Sequence, residues 1–124
     1  MIEWIQKERG GGRVKYFVTA SQRQGTCYHE FWRGNWDGVS FWSEDSILLH
    51  DDVLDECRGF AEAMLAVIPA YAPFGVTEVT RPQWEAVGAL AEAAGGNAAE
   101  LYAEADAWAQ EVFRTHDRFT VLGI

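Results

Sequence analysis

Tyr28-His29-Glu30-Phe31-Trp32-Arg33-Gly34-Asn35-Trp36-Asp37-Gly38-Val39-Ser40-Phe41-Trp42 decides how the chain is read. Six of these fifteen residues are aromatic. Each such ring brings roughly 150–250 Å² of burial and a rigid body that suits cores and interfaces alike. The stretch is therefore either core or binding face. Residues 26–33 read as a strand. Gly34 to Gly38 reads as a hairpin loop, with Asp37-Gly38 supplying positive φ cheaply. Residues 39–43 read as the returning strand. Alternation places Cys27, Phe31, Val39 and Phe41 inward. It places Tyr28, Trp32 and Trp42 outward, among Thr26, Glu30, Ser40 and Glu44.

Upstream, residues 2–8 and 13–20 read as strands separated by Gly10-Gly11-Gly12. In the second of these, Val14, Tyr16 and Val18 are expected inward, with Lys15, Phe17 and Thr19 outward. Downstream, Glu44-Asp45 is a turn and residues 46–50 a further short strand. Asp51 or Asp52 caps a helix expected to run to Val67, with Asp55 and Glu56 in its first turn. Its apolar arc holds Val53, Leu54, Cys57, Phe60, Ala61, Met64, Leu65, Val67 and Ile68, and its opposite arc is acidic. Residues 69–73 break the pattern, and 76–80 form a strand. Thr80-Arg81-Pro82-Gln83 has capping-box spacing, so a helix runs over 81–94 until Gly95-Gly96 ends it. A third helix spans 98–115, and residues 119–124 are a C-terminal strand. The expected fold is α+β, one domain over 1–124: a mainly antiparallel sheet of four to six strands, an N-terminal meander plus the C-terminal strand, with about three helices on one face.

The 124 residues carry a net charge of −9. Residues 1–45 hold six acids and six bases, so the whole excess lies in residues 46–124. Such a field repels nucleic acid and anionic membranes and attracts basic partners. No apolar run reaches the roughly 20 residues of a membrane span. Met1-Ile2-Glu3-Trp4 has neither the basic flank nor the apolar stretch of a signal peptide, which points to the cytoplasm. Cys27 and Cys57 are expected as buried thiols.

The chemistry-bearing residues form no recurring motif. His29-Glu30, His50-Asp51 and His116-Asp117 pair imidazole with carboxylate, and His50 with Asp52 is the best placed set. None has a recurring metal spacing, and neighbours along a strand point to opposite faces. No nucleophile elbow, phosphate loop or dinucleotide fingerprint is present. No catalytic residue, metal or cofactor is therefore assigned. His116 is expected as a packed or capping residue at the end of the last helix.

The outward rings among polar groups read as an interface patch; a helix, a loop or a second copy of the chain are the other covers for that face. In size, acidity, α+β order and Trp-rich strands the whole chain resembles the small cytoplasmic immunity proteins of bacterial polymorphic and contact-dependent toxin systems. The resemblance implies that it binds and neutralises a cognate toxin domain, often a basic nuclease. Tyr28, Trp32, Trp36 and Trp42 are the expected anchors, and Glu44, Asp51, Asp52, Asp55 and Glu56 the expected acidic contribution. The alternative is a small-molecule binding protein or small enzyme, with a pocket between sheet and helices lined by His29, His50 or His116. A third reading is self-association through the outward rings.

Overall fold

A computed structural model of the chain describes residues 15–72 and 74–123. The strand expected at 2–8, the glycine run at 10–12 and Val14 lie outside the described residues. The fold is α+β. Strands β1 (Phe17–Val18), β2 (Tyr28–Arg33), β3 (Ile47–His50), β4 (Val76–Thr80) and β5 (Arg118–Leu122) form one antiparallel sheet. Their spatial order is β1-β3-β2-β5-β4, so β1 lies beside β3 and β2 is the central strand. Four helices follow the third strand and its successor: α1 (Asp51–Glu56), α2 (Arg58–Val67), α3 (Arg81–Ala94) and α4 (Gly96–Phe113).

The register sorts the side chains. Phe17 pairs with Leu49, His29 with Leu49, Phe31 with Ile47 and Val121, and Phe119 with Val79. Opposed residues share a face, so these line the helix side. There they meet Phe60 and Met64 of α2, Trp84 and Val87 of α3, and Leu101, Ala105 and Val112 of α4 in one buried cluster. Phe119 is the hub. Phe31 stacks on it at 5.7 Å, while Trp84 and Trp108 meet it edge-on at 5.2 and 5.3 Å. Each good ring pair adds about 0.5–1.5 kcal/mol beyond the area it buries.

Phe17 thus belongs to the core, not to the outer face expected for it. The cause is at its backbone. The N–H groups of Tyr16 and Phe17 donate to the Glu104 carboxylate of α4 at 2.7 and 2.9 Å. This clip fixes which way β1 faces, and Phe17 then meets Phe31 edge-on at 5.2 Å.

The helix expected over residues 51–67 is two. Cys57 leaves helical geometry at φ −105°, ψ 57°, ending α1 and starting α2. Its thiol is buried as expected, but Cys27 is exposed just before β2. Helix α3 matches its expected bounds. Thr80 N–H donates to Gln83 Oε1 at 2.9 Å, and Gln83 N–H returns to Thr80 Oγ1 at 3.5 Å. No helix among the described residues is long and apolar enough to cross a membrane.

The largest departure is at residues 39–43, which form no strand. β2 pairs instead with β3 and β5, and residues 34–46 form a loop. Val39 and Phe41, expected in the core, are 77% and 55% exposed.

Candidate functional site

The outer face of the sheet carries Tyr28 and His50 at one end. Beside them runs the row Val18, Leu48, Glu30, Leu122 and Val76, then Trp32, Thr120 and Glu78. Leu48, Leu122 and Tyr28 are buried but stand apart from the main core cluster. The 34–46 loop lies beside Tyr28 and Leu122, with Phe41 and Trp42 lining a shared cleft. Its tip bonds to itself: Asp37 Oδ1 accepts from the N–H groups of Val39 and Ser40 at 2.9 and 2.8 Å, and Trp36 Nε1 donates to Ser40 O at 2.7 Å. The hydrogen bonds from Ser40, with the Val39 amide, hold the Asp37 carboxyl below its ordinary pKa. At the far end Trp108 Nε1 of α4 donates to Asp45 O at 2.8 Å.

Between these points a single side chain holds the loop down. The N–H groups of Trp42 and Ser43 donate to the two oxygens of the Glu30 carboxylate at 2.8 and 2.9 Å. Glu30 is 1% exposed. An acid expected on a solvated face is therefore interior. Burial of a carboxylate is tolerable because charge-assisted bonds to backbone N–H groups replace water. Trp42 adopts φ 64°, the one positive φ at a non-glycine among the described residues. Such a conformation costs about 1–3 kcal/mol and persists where its surroundings over-determine it. Here the clasp on its own N–H is one such constraint, and the Arg23 guanidinium 4.4 Å over its ring is another.

Tyr28, Glu30, Phe41, Trp42, Thr26, Leu122 and Gly123 line a cleft of about 320 Å³ beside the loop. It lies on the side of the sheet away from the helices. None of the three histidines lines it.

Three of the expected anchors, Tyr28, Trp42 and Trp36, form a chain of ring contacts with Phe41, which was expected in the core. Tyr28 meets Trp42 at 6.4 Å, Trp42 meets Phe41 at 6.4 Å, and Phe41 meets Trp36 at 5.5 Å. Trp32 shares the outer face but stands beyond this ridge, opposite Thr120. At its other end Tyr28 meets His50 edge-on at 5.0 Å. His50 caps α1, its Nδ1 accepting from Asp52 N–H at 3.0 Å. The ridge thus runs into the helix that carries Asp51, Asp52, Asp55 and Glu56. Asp52, Asp55 and Glu56 are exposed, and Glu44 is exposed on the loop. Asp51 is partly committed inward: His29 Nε2–H donates to its Oδ1 at 2.9 Å. Burial and the Asp51 charge together push the Tyr71 hydroxyl up to about 12.

His116 lies exposed just past α4, with its N–H donating to Val112 O at 2.9 Å. Among the described residues no group of three or more His, Cys, Asp or Glu is arranged to hold a metal ion. The sequence reading missed Glu30 as a buried anchor, Phe41 as an exposed wall and His50 as the link between rings and acids. A carboxylate alone in a strand of aromatics was the available signal for Glu30, since a buried acid must find donors. No family model, curated protein or solved structure matches the chain.

Proposed function

We propose that this chain is an immunity-type inhibitor, which binds a cognate bacterial toxin domain, a basic nuclease, and neutralises it by covering its surface. One observation carries the reading. The aromatic ridge from Trp36 to Tyr28 is continuous, through His50, with the acidic helix α1. Desolvated rings supply affinity at the centre of an interface, and acids around them steer a basic partner and set orientation. The two features are joined by contacts through Tyr28, itself buried, and the partly exposed His50, which brings the loop rings and the α1 acids near one another. The net charge of −9 supports the same polarity of partner.

The test is co-expression with the product of the adjacent gene, followed by binding kinetics on the purified pair. Trp36→Ala with Val39→Ser strips the loop tip, and Asp52→Asn with Asp55→Asn removes charge from α1. Each double variant is expected to keep the circular dichroism of the wild type. Each is expected to lose about 2 kcal/mol of affinity, roughly thirtyfold. An adjacent product that does not bind, or full affinity in both double variants, overturns the reading.

A further inference from the structure

The Glu30 carboxylate is buried and forms no ion pair with a described residue. Its two amide bonds use two of about four acceptor positions, one on each oxygen. The cleft opens beside it. Tyr28 and Trp42 stand almost perpendicular, at 83°, with Phe41 tilted 48° to Trp42. The result is an aromatic corner that Glu30 and its cross-strand neighbour Leu122 also line. Aromatic faces attract a cation through the ring quadrupole, apolar walls accept a methylene stem, and a desolvated carboxylate neutralises the head. The Trp42 ring already takes a cation elsewhere: Arg23 lies 4.4 Å over it, yet Arg23 does not line the cleft.

We propose that the cleft beside Glu30 receives one cationic side chain, a lysine or an arginine, from a protein partner. Charge complementarity selects this occupant. An apolar side chain would fill the walls and leave Glu30 without a counter-charge, whereas an anion would face it directly. The proposal rests on the reading of the chain as a protein binder and adds what the partner inserts.

The test uses free side-chain probes on the full chain. Nα-acetyl-lysine methylamide and Nα-acetyl-arginine methylamide are titrated while the Trp42 indole and the Trp42 and Ser43 amides are followed by NMR. Nα-acetyl-norleucine methylamide is the uncharged control. Saturable shifts at these three groups are expected, with at least one cationic amide binding about tenfold or more tighter than norleucine. Glu30→Gln is expected to erase that preference. Phe41→Ala, at an exposed position, leaves the fold intact and is expected to weaken the cationic probe several-fold. Norleucine binding as tightly as both cationic amides, no saturation by any probe, or unchanged binding to Phe41→Ala overturns the proposal. Its failure is distinct from failure of the inhibitor reading. Saturating cationic probes with no toxin partner leave the cleft standing alone. A toxin partner bound equally by wild type and Phe41→Ala, with no probe saturating, leaves the inhibitor reading standing without it.

Discussion

Gly88 shows how tightly single atoms are specified in the helical layer. It sits in α3 where Tyr102 of α4 crosses. A Cβ at that position would lie 2.4 Å from the Tyr102 ring, closer than real Cβ contacts come. Tyr102 cannot easily move away: it lies at 4.6 Å from the Trp84 ring and donates to Trp84 O at 3.3 Å. Burial, with Asp106, Glu92 and Glu85 nearby, also pushes its hydroxyl pKa up, so it stays a neutral donor. Gly88→Ala should therefore destabilise by about 1–3 kcal/mol in urea denaturation, although alanine is the better helix former by about 1 kcal/mol. A gain in stability would mean that Tyr102 swings out freely. Positions of this kind are not legible in sequence, because Gly88 and Tyr102 meet only after two helices pack. Glu30 was hidden for a similar reason. Its donors come from Trp42 and Ser43, and local alternation cannot announce them.

Among the elements, α3 was legible down to its ends. Thr80, Gln83 and Gly95 act within one turn of the chain, and local signals suffice for local structure. Residues 39–43 were misread because Val39-Ser40-Phe41 alternates like a strand, but no neighbouring strand is free to pair with it. The sheet offers β2 two partners, and β3 and β5 take both. β1 was legible only in part: of the strand expected over 13–20, the described residues keep Phe17–Val18, Ala20 already starts a 3-10 turn, and the facing depends on Glu104, far along the chain. That clip has a pH signature. Burial raises the Glu104 pKa above its ordinary 4.5, outweighing the two amide bonds from Tyr16 and Phe17. The folded state then holds this proton more tightly than the unfolded one, so the contribution of Glu104 to stability falls as pH rises through that window. Relative to Glu104→Gln, the wild type should be more stable near pH 4 than near pH 7 in parallel denaturant titrations. A difference that stays flat, or runs the other way, would refute the sign.

Across the whole molecule, the aromatic loop meets one part of the acidic excess, at α1, through Tyr28 and His50, though the two come from different halves of the chain. Charge of this kind acts at a distance of about a Debye length, near 10 Å at 0.1 M salt. Association with a basic partner should therefore slow by about tenfold or more between roughly 20 mM and 500 mM salt, with dissociation changing far less, in stopped-flow or biosensor measurements. Salt-independent association would assign the charge to solubility alone. The α+β class and the separation of acidic helices from aromatic strands were legible in composition and periodicity. Their junction at His50 was not, since it depends on the pairing of Tyr28 with His50 across two strands. The Glu30 clasp has a final consequence. Two amides of the loop bond to one side chain rather than to a ladder of neighbouring peptides. Opening at this point therefore breaks both bonds together, as one event. The lifetime of the closed loop is then adjustable by substitutions that crowd or loosen a single carboxylate, while the helical core keeps its own, separate clock.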